Sequence, residues 1–236
     1  MADIAKNIAR IKSEIGSSIR LVAITKGRSL AEINEAISAG ITEIGENKVQ
    51  EAAEKFGRLQ KTTGITKHMV GHLQSNKVKD AVALFDVIQS VDSIKLAGKI
   101  AEEATLQKKR ISIYLQVNVS GKDTQSGFAT GEIEAAANEI RKFRHEFFVV
   151  GGLMVIASQD NPRGDFRKAK EICGRLGLKI FSAGMSGDYE IAVEKGSNMV
   201  RIGTAIFGEG EKNQMEILEK KASENASVFQ NSGAFG

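Results

Sequence analysis

The strongest constraint on the fold is a regular alternation of short apolar segments with amphipathic segments. Short runs rich in β-branched residues, such as residues 21–25, are typical of buried strands. Each run precedes a stretch with helical spacing, as Leu30, Ile33 and Ile37 show after the first one. The chain contains eight such units at a spacing of about 25 residues. The predicted strands are residues 21–25, 41–45, 67–73, 84–91, 111–119, 147–156, 179–183 and 198–202.

This alternation predicts a parallel sheet with helices outside it. Eight units in 236 residues favour a single closed (β/α)8 TIM barrel, with an open doubly wound sheet as the alternative. An isoleucine stripe in residues 2–15 adds an N-terminal helix. The barrel is predicted to span residues 1–223, ending in a helix at 212–222. Residues 224–236 are poor in apolar side chains and are predicted to form a flexible tail.

Composition narrows the function classes. A net charge of +4, spread along the chain, does not favour a nucleic-acid surface. No apolar run approaches the roughly 18–20 residues of a membrane span, and no signal core begins the chain. Cys173 is the only cysteine, which suits a reducing compartment. We expect a cytoplasmic protein, acting as a monomer.

Candidate site residues lie where predicted strands end, because barrels build their sites there. Lys26 follows the first strand and can reach a ligand at that edge. Ser186 precedes a helix after the seventh strand, and Gly203 and Thr204 follow the eighth. Hydroxyls and free N–H groups at helix starts suit a phosphate, and glycine lets an anion approach closely. Capping of the helix is the structural alternative for Ser186 and for Asn47, which follows the second strand.

A lysine and a phosphate site in one barrel mouth suggest a Schiff base with a phosphorylated aldehyde or ketone. The residues alone leave open whether this is pyridoxal phosphate or a sugar phosphate, as in lysine-dependent aldolases. A metal site is not expected, since His68 and His72 lack the glutamate and the helical setting of zinc motifs.

Several motifs, in order over about residues 1–209, resemble the pyridoxal phosphate homeostasis protein family, which is similar to the N-terminal barrel of bacterial alanine racemase. They are Ile24-Thr25-Lys26, Gly45-Glu46-Asn47, Gly71-His72-Leu73-Gln74-Ser75-Asn76-Lys77, Gly152-Leu153-Met154, Ala183-Gly184-Met185-Ser186-Gly187-Asp188 and Val200-Arg201-Ile202-Gly203-Thr204-Ala205-Ile206-Phe207-Gly208. Two positions depart from the family pattern. Gly27-Arg28-Ser29 stands where a proline is frequent, and Lys67 stands where an aromatic residue is frequent.

The resemblance implies a pyridoxal phosphate site. Lys26 would hold the cofactor as a Schiff base, and Ser186, Gly203 and Thr204 would hold its phosphate. Arg201 would face the pyridine nitrogen, while Asn47 and Met154 would line the ring.

The resemblance also implies a role in pyridoxal phosphate homeostasis rather than strong catalysis. Apo forms of pyridoxal phosphate-dependent enzymes are the candidate acceptors. Arginine beside the ring nitrogen gives a weak electron sink, and alanine racemase takes a second catalytic tyrosine from an additional domain. Here only Tyr114 and Tyr189 are present. A pyridoxal phosphate-dependent racemase or lyase is the alternative.

Overall fold

The computed structural model describes residues 2–60, 62–122 and 124–209, and its centre is a closed parallel barrel. The strands are β1 Arg20–Ile24, β2 Glu43–Glu46, β3 Thr66–Met69, β4 Val87–Val91, β5 Ile111–Asn118, β6 Phe128–Ala129, β7 Phe148–Val155, β8 Ile180–Ser182 and β9 Met199–Ile202. Every pairing between them is parallel. Pairing of β1 with β9 and of β4 with β5 closes the ring, so the open-sheet alternative is wrong.

Helices surround the barrel, as the alternation predicts. Within the described ranges they are α1 Ile4–Ile15, α2 Leu30–Ser38, α3 Val49–Phe56, α4 Val78–Leu84, α5 Ile94–Leu106, α6 Ile133–Arg141, α7 Pro162–Arg175, α8 Tyr189–Glu194 and α9 Thr204–Phe207, with a 3-10 turn at Ser75–Lys77 before α4. None of these helices is both long and apolar enough to cross a bilayer.

Local sequence explains where several helices begin. Ser29 caps α2 in a capping box with Glu32, in which each side chain bonds the other residue's backbone N–H. Asn161 caps α7, and Pro162 occupies the first helical position, where a missing N–H costs nothing. The apolar pattern alone predicts a start for this helix at about residue 165, and the helix begins three residues earlier because these start signals lie outside that pattern.

The N-terminal helix packs against the outside of the barrel. Its stripe of Ile4, Ile8, Ile11 and Ile15 is buried, as helical spacing predicts. The helix contacts α2, α8 and α9, and the Asn7 amide donates to the Ile206 carbonyl at 2.9 Å. It thus lies beside the first and last units and covers the place where the ring closes.

All eight predicted strands are present, and β6 is an additional short strand beside β5. The third strand ends at Met69 rather than at residue 73. The predicted helix at 212–222 and the tail at 224–236 lie outside the described residues.

Candidate ligand-binding site at the carboxyl ends of the strands

Lys26 lies in a tight turn directly after β1. The Arg28 N–H donates to the Thr25 carbonyl at 3.0 Å, and Gly27 has φ +68°, a conformation that favours glycine. The Lys26 side chain is exposed, and within the described part of the chain nothing forms a hydrogen bond or ion pair with its amine. It borders a cavity of about 440 Å³ that Asn47, Gly71, His72 and Lys77 also line. The amine is therefore free to react with a ligand in the barrel mouth.

A cluster of polar side chains fixes this turn from below. Lys55 Nζ donates to the Thr25 carbonyl at 2.7 Å, to Glu46 Oε1 at 2.8 Å and to Glu51 Oε1 at 2.6 Å. Glu51 Oε1 also accepts the Gly27 N–H at 2.6 Å, and the Thr25 hydroxyl donates to Glu46 Oε1 at 2.6 Å. The backbone on both sides of Lys26 is thus anchored to β2 and α3. We call Thr25, Glu46, Glu51 and Lys55 the turn clamp.

Arg28 joins the same turn to the end of α9. Its side chain is buried, donates to the carbonyl oxygens of Phe207 and Gly208, and places its guanidinium carbon 5.4 Å from the centre of the Phe207 ring. This residue belongs to the segment that departs from the family pattern. In this chain, the residue at the departure therefore connects the loop after β1 with the carboxyl-terminal end of α9.

The predicted phosphate residues come together beside β1. The Ser186 hydroxyl oxygen accepts the N–H groups of Gly203 at 3.3 Å and of Ala205 at 3.2 Å. A Cβ on Gly203 would lie 3.5 Å from the Ile24 Cβ, so these loops adjoin the end of β1. This contact is an ordinary one and does not by itself require glycine at 203. A ligand that approaches the Gly203 backbone closely would require it. We call Ser186, Gly203, Thr204 and Ala205 the hydroxyl–amide cradle.

Capping does not explain Ser186 or Asn47. The N-cap of α8 is Asp188, whose carboxylate accepts the Met185 N–H at 2.6 Å and so shapes the loop that carries Ser186. The N-cap of α3 is Lys48, not Asn47. A Cβ on Gly71 would lie 2.3 Å from the Asn47 carbonyl oxygen, so glycine at 71 is needed for this close approach.

Arg201 lies on the inner face of β9, beneath the cradle. Its guanidinium donates from Nη1 to the Ser182 hydroxyl at 2.8 Å and from Nη2 to the Val155 carbonyl at 2.9 Å. Burial lowers its pKa to about 10, and Asp188 acts in the opposite direction. The side chain therefore remains charged at neutral pH and can only donate hydrogen bonds.

Met154 has no exposed surface. It packs inside the barrel with Val22, Tyr114 and Met199. Ile24 and Ile156 follow two residues after Val22 and Met154, are partly buried and pack on this cluster. A ring at the mouth would therefore meet Ile24 and Ile156 before Met154. Sequence reasoning missed both isoleucines, although their positions at strand ends could have indicated them.

The remaining histidine and tyrosine candidates have structural partners. His68 is buried between Glu43 and Gln89, and His72 lies 3.3 Å from Asp92.

Tyr189 is buried and its hydroxyl donates to Glu14 on α1. Tyr114 is buried inside the barrel. Neither tyrosine presents its hydroxyl beside Lys26.

Comparison with known proteins agrees with this fold. The family model of the alanine racemase N-terminal domain matches residues 1–211. A pyridoxal phosphate homeostasis protein of Escherichia coli (strain K12) is 32% identical, over 88% of this chain and 97% of that protein. The structure of PipY of Synechococcus elongatus PCC7942 with PLP bound is 33% identical, with a TM-score of 0.81, over 87% of this chain and 100% of that one.

Alanine racemase of Clostridium difficile 630 shares the fold at 16% identity. Its TM-score is 0.71, and the match covers 88% of this chain and 59% of the racemase. The family match and the level of identity to its curated relatives decide the classification. The chain belongs to the alanine racemase N-terminal domain family and, within it, to the pyridoxal phosphate homeostasis proteins.

Proposed function

We propose that this chain binds pyridoxal 5'-phosphate in the barrel mouth, covalently through Lys26, and holds it without strong catalysis. The observation that carries the proposal is that the free Lys26 amine and the hydroxyl–amide cradle follow the neighbouring strands β1 and β9. Parallel pairing of β1 with β9 brings the two strand ends together, and Ile24 meets Gly203 directly before the Lys26 turn. One ligand with an aldehyde and a phosphate can therefore reach both groups.

The donor groups fit this ligand. Ser186 and Thr204 offer hydroxyls, and Gly203 and Ala205 offer backbone N–H groups that at present meet only the Ser186 oxygen. These are suitable partners for a dianion. Arg201 offers a charged donor, which suits an unprotonated ring nitrogen. Asn47, with Ile24 and Ile156 above Met154, would line the ring.

When bound, pyridoxal phosphate supplies an aldehyde that condenses with an amine, and a conjugated ring that absorbs near-visible light. The chain's own residues would position this group rather than drive further chemistry. The turn clamp orients Lys26, the cradle holds the phosphate, and Arg201 opposes protonation of the ring nitrogen. Without that proton the ring accepts electrons poorly, so reactions that need a stabilised carbanion should be slow.

The first test is spectroscopic. We expect the purified protein to turn yellow when incubated with pyridoxal phosphate, and borohydride to make the attachment permanent on Lys26, as peptide mass spectrometry would show. Lys26→Ala should lose the covalent attachment and keep weaker binding through the phosphate. Lys48→Ala, a neighbouring lysine that lines the same cavity, is the matched control and should behave as wild type. A wild-type protein that stays colourless would contradict the proposal.

The second test concerns catalysis and decides between this proposal and a racemase or lyase. Tyr114 and Tyr189 are both buried and away from Lys26, so the described residues offer no tyrosine base. We expect racemase, transaminase and decarboxylase turnover of common amino acids well below about 1 s⁻¹, the lower end of ordinary enzymatic rates. Turnover of any one amino acid at or above that rate would favour the racemase or lyase alternative.

The wider role that we propose is to keep pyridoxal phosphate available to apo enzymes of the cytoplasm, with the chain acting as a monomer. The name of its relatives and the accessible mouth around Lys26 support this role. Mixing the loaded protein with an apo pyridoxal phosphate-dependent enzyme should restore that enzyme's activity faster than the same amount of a borohydride-reduced sample. Sedimentation would check the oligomeric state.

A further inference from the structure

A continuous line of hydrogen bonds runs through the barrel interior from Arg201 to the amino-terminal end of β1. Six side chains from six different strands form it, and we call them the interior chain. They are Arg201, Ser182, Gln89, His68, Glu43 and Arg20. None of its links is needed to close the barrel, which the backbone pairings already achieve.

The links between successive members are short. Arg201 Nη1 lies 2.8 Å from Ser182 Oγ, and Ser182 Oγ lies 2.6 Å from Gln89 Oε1. Gln89 Nε2 lies 2.9 Å from His68 Nδ1, and His68 Nε2 lies 3.0 Å from Glu43 Oε2. Arg20 then donates two hydrogen bonds of 2.8 Å to the Glu43 carboxylate. Ser182, Gln89 and His68 are 0% exposed, so bulk water does not reach the two links between them.

Each link has only one possible direction. Burial opposes the charged form of Glu43, but hydrogen bonds from His68 and Arg20 outweigh it and lower the pKa, so Glu43 is a carboxylate that only accepts. Burial lowers the pKa of His68 despite the bond to Glu43, so the ring is neutral and carries a single proton. That proton lies on Nε2, facing Glu43. Nδ1 is then an acceptor for Gln89.

Gln89 transmits this direction to Arg201. Its amide nitrogen donates to His68 Nδ1 and also contacts Met199 Sδ at 3.4 Å, so both N–H groups have acceptors. A reversed amide would place its oxygen against these two acceptors. Gln89 Oε1 must therefore accept the Ser182 hydroxyl proton, and the Ser182 oxygen is left with lone pairs for Arg201. The Arg201 guanidinium thus donates to a Ser182 oxygen whose orientation is fixed, through Gln89 and His68, by the Glu43 carboxylate.

We propose that Gln89 and His68 are positioning residues for Arg201, which hold its guanidinium as an oriented, charged donor for an acceptor nitrogen on a bound aromatic ring. This inference rests on the proposed function. It adds that Gln89 and His68, buried inside the barrel, set the preference of the site for a ring nitrogen. Among the described residues no carboxylate forms an ion pair with Arg201. The orientation of the guanidinium therefore depends on neutral acceptors, namely the Ser182 hydroxyl and the Val155 carbonyl.

The test compares two ligands that differ only at the ring nitrogen. They are pyridoxal phosphate and its 1-deaza analogue, in which C–H replaces the nitrogen. Wild type should prefer pyridoxal phosphate by about tenfold or more, the value of one hydrogen bond from a charged donor. Gln89→Leu should reduce that preference severalfold, while the affinity for inorganic phosphate stays the same. Ser90→Ala, the neighbouring buried residue on β4 outside the interior chain, should keep the wild-type preference.

A merely structural role for Gln89 would lower both affinities together and leave their ratio unchanged, and that result would overturn the inference. If Gln89→Leu does not fold, Ser182→Ala removes the next link and carries the same expectation. Wild-type protein that binds neither ligand would refute the proposed function and this inference with it. Wild-type binding with an unchanged ratio in the variants would refute only this inference.

A second measurement needs no ligand. Nitrogen-15 NMR at pH 7, with the His68 signals assigned by their loss in His68→Gln, should show a neutral His68 ring protonated on Nε2. A His68 ring protonated on Nδ1, or on both nitrogens, would break the direction of the interior chain and overturn the inference.

Discussion

Ser186, which follows β8, and Ser197, which precedes β9, show how two serines of the barrel can serve different purposes. Ser197 Oγ is buried within 2.8–3.1 Å of the carbonyl oxygens of Phe181, Ala183 and Met199. Its hydroxyl joins backbone segments. Ser186 is only partly buried, and its bonds to the Gly203 and Ala205 N–H groups are longer than the usual distance of about 2.9–3.0 Å. A dianion would be a stronger partner for the same N–H groups.

We therefore expect Ser186→Ala to lower the affinity for pyridoxal phosphate by about tenfold to a hundredfold, the value of a hydrogen bond to a charged group. Fluorescence or absorbance titration would measure it. The affinity for unphosphorylated pyridoxal should hardly change, since the cradle serves the phosphate. Ser197→Ala should lower the free energy of unfolding without this selective loss. Equal losses for pyridoxal and its phosphate in Ser186→Ala would place the phosphate elsewhere.

Strand-end reasoning selected Lys26, Ser186 and Gly203 as candidates, because each lies just after an apolar run that is visible in the sequence. It did not find the partners of Arg201. Ser182, Gln89 and His68 lie inside predicted strands and are far apart in the chain. Polar residues within a strand usually face solvent, so only the closed barrel reveals that these side chains meet.

At the scale of elements, the turn after β1 depends on α3. Lys55 of α3 is mostly buried, with 13% of its side chain exposed, and the Glu46 side chain is fully buried at 0%. Burial raises the pKa of Glu46, while hydrogen bonds from Lys55 and Thr25 act in the opposite direction. The position of the turn that carries Lys26 and the charge state of Glu46 are therefore coupled through one lysine.

Lys55→Met should destabilise the fold by about 3 kcal/mol, because it leaves a buried carboxylate without its cation. Chemical denaturation would measure the loss. The attachment of pyridoxal phosphate to Lys26 should also weaken, since Thr25, Glu46 and Glu51 lose their common hydrogen-bond donor. Lys48→Met, at the N-cap of the same helix, is the control, because Lys48 is exposed and does not belong to the turn clamp. If both variants were equally stable, the clamp would have no structural role.

Element types were predictable from periodicity, whereas several boundaries depended on tertiary contacts. The third strand was predicted to continue to residue 73, but β3 ends at Met69, and Gly71 instead lies against the Asn47 backbone. The two-residue strand β6 has no apolar run of its own and exists only by pairing with β5. Both features follow from contacts between segments that the local pattern does not contain.

At the scale of the whole molecule, closure creates an interior that carries charge. The eight-unit pattern favoured a barrel over an open sheet, and the pairings of β1 with β9 and β4 with β5 confirm it. Closure places Arg20, Glu43 and His68 together at one level of the interior. A buried neutral histidine at that level makes the stability of the fold depend on pH.

The direction of this pH dependence follows from whether the folded or the unfolded state binds more protons. Burial depresses the pKa of His68 below its ordinary 6.5, so the folded protein keeps the ring neutral while the unfolded chain becomes protonated. The unfolded state then binds more protons, and stability is present above pH 6.5 and lost as pH falls below it. Glu43, whose hydrogen bonds lower its pKa despite burial, adds a further loss only below its ordinary value of 4.5. Glu46 has a raised pKa and acts in the opposite direction.

We expect the free energy of unfolding to fall by up to about 1.4 kcal/mol for each pH unit below 6.5, the maximum for one proton. Urea denaturation at pH 7.5, 6.5 and 5.5 would measure the slope. His68→Gln keeps a polar side chain in the interior but cannot titrate, so it should lower stability at pH 7.5 and flatten the slope. His72→Gln is the control, because His72 is exposed and should leave the slope unchanged. A slope that persists in His68→Gln would show that another group controls the acid response, and that His68 is not held neutral in the folded barrel.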